Sequence, residues 1–222
     1  MKHTLLIFTI LCSEYLFGQH TDTVVMDNTK VILMAIDDNK VIKEGDSLLE
    51  LNKINEAIAK YTLIVELSPK NKKAISNRAF SYLQIDNFSK SLMDYNLALS
   101  LDSTDYVNLT NRALVKWYLK NYKGAIDDCD KAIKYNENYA YAYFHKGLSQ
   151  AQLDKYKESI LSYDKAIKID STFARAFYNR GSSKFALDNL AGACVDWQKA
   201  DALGNKTAIS MIQKYCNSKS IQ

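Results

Sequence analysis

The apolar and polar positions of the chain repeat with a period of 34 residues. At four sites with this spacing, an asparagine or a histidine is followed by a basic residue and then by Ala or Gly: Asn77, Asn111, His145 and Asn179. Small residues recur twice more in most copies, and between them stands a large aromatic residue or a cysteine: Tyr61, Tyr95, Cys129, Tyr163 and Trp197. Small residues let two helices approach closely, so the pattern predicts one helical hairpin that is repeated along the chain.

Five copies are predicted, each with a helix A, a tight turn and a helix B: 38–71, 72–105, 106–139, 140–173 and 174–205. The chain has one proline and seven glycines among 222 residues, so little interrupts the helices. Hydrophobic residues make up 47% of the chain, which is enough for a packed core. These features predict an all-α fold.

The pattern resembles the tetratricopeptide repeat family over residues 38–205. The departures are few: Ser91 and Ser159 stand where alanine is usual, and Pro69 is the only proline at its position in the repeat. The resemblance implies a right-handed α-solenoid of five helical hairpins. It also implies a protein that binds other proteins, because a stack of hairpins offers no pocket of the kind that enzymes use. Together with its N-terminal segment, the chain resembles small exported bacterial members of this family.

The first residues differ from the repeats. A basic residue, the apolar run 4–12 and a small residue at the end predict a secretory signal peptide, Met1–Gly18. The run is too short to span a bilayer and is followed by Glu14. Two alternatives stay open: a lipid anchor on Cys12, which needs a small residue where Leu11 stands, and a cytoplasmic protein with an apolar N-terminus. We expect export to the periplasm or cell envelope of a bacterium, with no integral membrane segment after processing.

The segments that flank the repeats are predicted to cover their open ends. Residues 19–37 form an N-terminal linker or cap whose apolar stretch, Val31–Ile36, packs on the first repeat or adds to a partner. Gly204 should end the last helix B. Residues 206–222 then carry apolar positions at helical spacing, which predicts a capping helix over the final repeat.

Three cysteines lie outside the predicted signal peptide. Cys129 occupies the large apolar position of the third copy, where a buried free thiol is expected. Cys194 and Cys216 lie on consecutive predicted helices, so they are a possible disulfide in an oxidising compartment, with free thiols as the alternative. No pattern of metal ligands is found, and we expect neither a metal nor a cofactor.

Charged residues exchange in pairs between helix A and helix B. A basic residue one position before the repeated Ala or Gly has an aspartate sixteen residues later in three copies: Arg78 with Asp94, Arg112 with Asp128, and Arg180 with Asp196. In the first copy both signs reverse, to Glu44 and Lys60, and in the fourth the two residues are Lys146 and Ser162. Paired exchange predicts a contact. Because these arginines are engaged and the net charge of +4 is spread along the chain, no nucleic-acid partner is expected.

The resemblance places the residue before each of these basic residues on the concave groove of the solenoid. Asparagine offers one acceptor and two donors, enough to hold the N–H and C=O of an extended peptide. Asn77, Asn111 and Asn179 would form a ladder, with His145 as an irregular rung, as in the repeat domain of O-GlcNAc transferase, which this ladder resembles. The alternative is that these side chains only satisfy hydrogen bonds between packed helices.

Aromatic residues fall on neighbouring groove positions implied by the resemblance: Phe80, Tyr118, Tyr141 and Tyr178. Aromatic rings beside amides are typical of protein-recognition surfaces. Trp117 and Phe144 fall on similar positions, but we expect them to be more buried. These residues are our candidates for peptide binding.

More specific functions are not supported. The clamp that holds the C-terminal carboxylate of chaperones is absent, since Ile42, Asp46 and Val107 occupy its basic and amide positions. Motifs such as HExxH, a phosphate loop or GxSxG do not occur, so we expect no catalytic residues. We predict a non-catalytic scaffold or adaptor, monomeric on its own, whose groove binds an extended peptide or a partner helix. The alternative is a structural module of an envelope assembly that self-associates through its edge repeats.

Overall fold

The structure, a computed structural model, describes residues 22–27, 30–35 and 37–216. The predicted signal peptide and the possible lipid site at Cys12 lie outside the described residues, as do residues 217–222 of the predicted cap. The chain divides into two compact units, Met1–Ala74 and Ile75–Gln222.

The first unit contains a β-hairpin and the first pair of helices. Strands β1 (Asp22–Asp27) and β2 (Lys30–Ala35) pair antiparallel where the sequence predicted a linker or cap. Helices α1 (Asp38–Glu50) and α2 (Ile54–Leu67) follow. Among the described residues, the two strands are the departure from the all-α prediction. The helix pair packs around Tyr61, which is fully buried and whose hydroxyl donates to Asp46 at 2.7 Å.

The second unit is built from helices that alternate with short turns. Helix α3 begins in the first unit at Lys72 and continues into the second. The helices are α3 (Lys72–Gln84), α4 (Phe88–Leu101), α5 (Tyr106–Tyr118), α6 (Tyr122–Tyr135), α7 (Ala140–Ala151), α8 (Tyr156–Ile169), α9 (Ala174–Phe185), α10 (Leu190–Ala202) and α11 (Thr207–Met211). The odd-numbered members from α3 to α9 are the predicted A helices, and the even-numbered ones from α4 to α10 are the B helices.

The turn between helix A and helix B has the same backbone conformation in every copy. One residue of each turn has a positive φ of 57° to 60°, and these residues are spaced by 34: Asn52, Asp86, Lys120, Asp154 and Asp188. Asparagine and aspartate visit this left-handed region more readily than other residues that carry a Cβ. Lys120 is therefore the strained member of the set.

Small and large residues pack against each other between the helices of a pair, as the sequence pattern predicted. Tyr163 of α8 is fully buried against α7. A Cβ added to Gly147 would lie 2.6 Å from the Tyr163 ring, so the two helices are as close as glycine permits. Gly181 stands in the same relation to Trp197 in the next pair, at 2.8 Å.

The predicted arginine–aspartate pairs are formed. Arg112 donates to both carboxylate oxygens of Asp128, from Nε at 2.8 Å and from Nη2 at 2.7 Å. Pairs of the same geometry join Arg78 with Asp94 and Arg180 with Asp196. The three aspartates are each 1% exposed. The reversed pair of the first unit is also formed, since Lys60 donates to Glu44 at 2.7 Å and holds the pKa of that carboxyl below its usual value.

The same basic residues also reach the preceding helix B. Arg180 contacts Asp164 of α8 at 2.5 Å in addition to its aspartate on α10. Lys146 does not contact Ser162, its counterpart in the sequence pattern, but pairs with Asp130 of α6 at 2.6 Å. Ser162 instead donates to Gln150 at 2.6 Å. In this unit, polar side chains of helix A thus contact helix B of the same repeat, helix B of the preceding repeat, or both.

Two lysines that were not predicted from the sequence complete two of the buried carboxylate sites. Lys116 lies 2.7 Å from Asp128, and Lys184 lies 2.8 Å from Asp196. Two cations therefore face each of these carboxylates. A buried charge needs such compensation because it has lost its hydration.

The end of the second unit folds back onto its last helix pair. Gly204, with φ of 89°, follows α10, and α11 continues into a π-helical turn, Ile212–Cys216. A disulfide joins Cys194 to Cys216, with their Cα atoms 5.7 Å apart. Trp197 and Tyr215 lie in the same apolar cluster. Cys129 is a buried free thiol, and burial raises its pKa.

Replacing Arg112 by alanine should lower the free energy of unfolding by about 1 to 3 kcal/mol, because buried Asp128 loses two charge-assisted hydrogen bonds. Lys116 stays on the carboxylate and limits the loss. Adding Asp128→Ala should recover part of the loss, and a double-mutant cycle from urea denaturation measures the coupling. The control is Lys199→Ala, at an exposed lysine of α10, for which a change within about 0.5 kcal/mol is expected. Strictly additive losses would contradict the contact.

Lys120→Asn should stabilise the protein by about 0.5 to 1 kcal/mol, because asparagine accepts the left-handed conformation at lower cost than lysine. The matched control is Asp154→Asn, at the equivalent position of the next turn, where the native residue already suits the conformation and little change is expected. Thermal unfolding of both variants provides the comparison. An equal effect at the two positions would show that strain at Lys120 is not the cause.

Cys194 and Cys216 should be oxidised in native material. Closing a loop with a sequence separation of 22 residues should contribute about 3 kcal/mol to stability. Intact mass after alkylation, with and without prior reduction, counts the reactive thiols. Native protein that takes up label at both cysteines without reduction would rule the bridge out.

Candidate peptide-binding groove

The A helices of the second unit form a continuous layer. Helix α5 contacts α7, and α7 contacts α9, although a B helix separates each pair in the sequence. Side chains that point away from the B helices therefore share one face, on which the sequence analysis placed the candidate residues.

The three asparagines of the predicted ladder are all partly exposed. Asn179 donates from Nδ2 to the carbonyl oxygen of Arg175 at 2.8 Å, so its own helix takes one of its donors. Asn111 lies near the hydroxyl of Tyr95, and this neighbour opposes the rise in the pKa of Tyr95 that burial causes. The two groups do not form a hydrogen bond, because the Tyr95 hydroxyl has no hydrogen-bond partner in the described structure. The Asn111 amide is therefore only weakly engaged.

His145 lies beneath the surface on which the asparagines stand. It is 7% exposed and packs against the ring of Phe144. Burial lowers the pKa of His145 to about 3, and the positive charge of Arg175 contributes to this shift. The imidazole is therefore neutral at pH 7, and its Nδ1 has no hydrogen-bond partner among the described residues. A peptide on the surface would not reach this ring without a rearrangement, so His145 does not extend the row of exposed asparagines.

Three of the four aromatic candidates are well exposed. Phe80 is 42% exposed, Tyr118 45% and Tyr141 50%. Tyr118 stacks on Phe88 with ring centroids 4.7 Å apart, so its ring is held in place while one side stays open. Tyr141 packs against Phe173 at 5.0 Å in a similar way. Rings that are already positioned lose little conformational entropy when a partner binds.

Tyr178 is partly buried and lines a cavity at the end of the groove. The cavity has a volume of about 620 Å³ and lies between α9 and the turn that follows α10. It is lined by Ala174, Arg175, Tyr178, Asn179, Leu203, Gly204, Asn205, Lys206 and Thr207. Arg175 is not among the site residues predicted from the sequence. The sequence did distinguish it. The other three arginines each have an aspartate sixteen residues later, whereas Arg175 has Ala191 at that spacing.

The described helices include none that is long and apolar enough to cross a membrane. Within the described ranges, no group of three or more histidine, cysteine or acidic side chains is arranged to hold a metal ion.

Two segments of the chain match family models of known repeats. Residues 108–139 match a tetratricopeptide repeat model, and residues 147–188 match a TPR repeat model. No significant match to a curated protein sequence is found.

Solved structures with similar folds include three that cover most of the chain. A crystal structure of MamA is 23% identical, with a TM-score of 0.65, and the match covers 74% of this chain and 96% of MamA. YrrB, a TPR protein with an unusual peptide-binding site, is 21% identical, with a TM-score of 0.62 and coverage of 80% and 92%. TTC0263, a thermophilic TPR protein of Thermus thermophilus, is 15% identical, with a TM-score of 0.67 and coverage of 81% and 97%.

These matches agree with the helix pairs, the short turns and the small-to-large packing described above. The fold class predicted from the sequence is confirmed. Residues 108–139 and 147–188 thus match models of the tetratricopeptide repeat, and the fold class is that of the similar α-solenoid structures.

Proposed function

We propose that the protein is a non-catalytic adaptor that binds an extended segment of a partner protein on the A-helix layer of its second unit. The observation that carries the proposal is the exposure of Phe80, Tyr118 and Tyr141 on this layer, together with partly exposed asparagines. Tetratricopeptide repeats generally mediate contacts between proteins, and the similar protein YrrB has a peptide-binding site.

An extended segment suits this surface better than a helix. The amides of Asn111 and Asn179 can exchange hydrogen bonds with a peptide backbone only where that backbone has free N–H and C=O groups. A bound helix would have used those groups internally. The aromatic rings would then supply contact with side chains of the segment.

The asparagines and the aromatic residues are expected to contribute different amounts of binding free energy. Each asparagine should contribute a net stabilisation of about 0.5 to 1.5 kcal/mol, so the ladder alone gives weak binding. A single buried aromatic anchor can contribute about 2 kcal/mol or more. The asparagines would therefore hold any sequence, and the aromatic residues would select among sequences.

The proposal places the adaptor outside the cytoplasm. The apolar N-terminal pattern of Met1–Gly18 favours export, and the bond between Cys194 and Cys216 suits an oxidising compartment. Periplasm or cell envelope is the proposed location.

A second function, self-association, has an observation of its own. One position of the B helices exposes a large apolar residue in three repeats: Met93 at 60%, Leu161 at 65% and Val195 at 64%. Asp127 occupies the same position in α6 and interrupts the row. Light scattering at several concentrations distinguishes the two functions, because the adaptor should remain a monomer without its partner.

Selection of random dodecapeptides displayed on phage would provide ligands for testing the adaptor proposal. We expect the triple variant Asn77→Ala, Asn111→Ala and Asn179→Ala to stay folded and to lose at least about tenfold in affinity for every selected peptide, as the sum of three hydrogen bonds implies. Fluorescence anisotropy with labelled peptides measures these losses.

Tyr141→Ala should weaken some selected peptides much more than others, because its ring contacts side chains. The matched control is Tyr135→Ala, which removes a tyrosine of comparable exposure, 45%, from helix B α6. If the triple variant binds as tightly as the parent, and Tyr141→Ala behaves like Tyr135→Ala, the groove is not the binding surface and self-association becomes the favoured function.

A further inference from the structure

The A-helix layer of the second unit carries no negative charge. Its helices, from Ile75 through α5, α7 and α9, contain no aspartate and no glutamate. Acidic residues lie on the B helices and in the turns. A peptide that runs along this layer therefore meets only neutral and basic side chains.

All but one of the basic residues of this layer are engaged with carboxylates. The engaged residues are Arg78, Arg112, Lys116, Lys146, Arg180 and Lys184. Arg175 is the exception, since no described carboxylate lies within ion-pair distance of it. Its guanidinium instead lies over the ring of Phe144, 5.0 Å from the centroid. This contact holds the charge in place without neutralising it.

Arg175 lines the cavity at the end of the groove, and a second cation lines it too. Lys206 lies in the turn before α11, and it also has no described carboxylate within ion-pair distance. The remaining polar lining includes Asn205, whose Oδ1 accepts from the backbone N–H of Thr207 at 3.1 Å, so that its Nδ2 is the group left to donate. None of the described side chains that line the cavity is acidic.

The walls of the cavity are fixed to the last helix pair. The turn Leu203–Lys206 is followed by a segment that the disulfide between Cys194 and Cys216 ties to α10. Ala208, just beyond the cavity, is fully buried. The cavity is open to solvent on one side, and its volume of about 620 Å³ leaves room for a side chain or a chain terminus.

We propose that this cavity receives a carboxylate of the bound peptide, with Arg175 as the forked donor and Lys206 as the second cation. The planar guanidinium matches the two oxygens of a carboxylate. The inference rests on the proposed function, since the rest of the peptide lies on the A-helix layer. The site is distinct from the chaperone clamp considered above, because it is formed by the last repeat and the cap.

Two sources can supply the carboxylate, namely the free C-terminus of the peptide and an aspartate or glutamate side chain. Three probes separate them: an acetylated tetrapeptide Ala-Tyr-Ala-Leu with a free C-terminus, the same peptide with a C-terminal amide, and an amidated version in which the third residue is aspartate. Inorganic phosphate is the fourth probe. Titration of the full ¹⁵N-labelled chain gives the affinity of each probe. The readout is the backbone amide signals of Gly204 and Thr207, which line the cavity and are also present in a variant that lacks Arg175.

A peptide with a carboxylate should bind at least about ten times more tightly than the amide that lacks one, as expected for a charge-assisted pair. Binding of the free acid alone identifies the C-terminus as the group, and binding of the aspartate peptide identifies a side chain. Arg175→Gln should reduce the affinity for the acidic probe to that for the amide, and added salt should weaken binding to the parent. Lys199→Gln removes an exposed lysine of α10 that does not line the cavity, and it should change nothing.

Equal affinity for acid and amide would overturn the proposal, and so would acid binding that survives Arg175→Gln. Tighter binding of phosphate than of any peptide would overturn the assignment to a carboxylate. Phage-selected peptides distinguish this failure from failure of the groove. If they depend on Tyr141 but not on Arg175, only the cavity assignment fails. If they do not depend on Tyr141 while the acidic tetrapeptide still requires Arg175, the groove fails and the cavity stands.

Discussion

Buried aspartates on the B helices set the constraint on which the second unit depends. Asp128 is 1% exposed and is held by Arg112 and Lys116, both from helix A of the same pair. An unpaired carboxylate at that depth would be far more costly than the pair, so each such aspartate fixes the position of its helix A. Arg180 also forms an ion pair with Asp164 of the preceding hairpin, so it connects two neighbouring hairpins.

This arrangement also determines the chemistry of the exposed layer. Because helix A turns most of its cations towards the B helices, the opposite face is left with amides, aromatic rings and Arg175, which has no carboxylate partner among the described residues. The surface is therefore close to neutral although the chain carries a net charge of +4. Binding there should depend on hydrogen bonds and apolar contact along most of the layer, and on charge only at the end formed by Arg175.

The periodic features were accessible from the sequence because each is a repeated local event. The helix pairs and the contact of Arg112 with Asp128 follow from positions that recur every 34 residues. The burial of His145 was not predictable, because it depends on how closely the surrounding helices pack. The residues next to it in the sequence do not determine that packing. The cavity was missed for a different reason: Arg175 and Lys206 are brought together by the fold of the cap, which occurs once and has no period. Lys116 and Lys184 had a signal, since they occupy equivalent positions in two copies, but a lysine on a helix is usually a solvated residue.

The shared geometry of the turns within the five hairpins has a consequence for how such a chain can change length. Each of these turns is centred on a residue with φ of 57° to 60°. In each of them the N–H of this residue donates to the carbonyl three residues before it, and the next N–H donates to the carbonyl five residues before it. Gain or loss of a whole hairpin therefore needs no new type of turn, whereas gain or loss of a few residues inside a helix would shift the register of the contacts that this helix makes. The length of the A-helix layer would therefore change in steps of one hairpin.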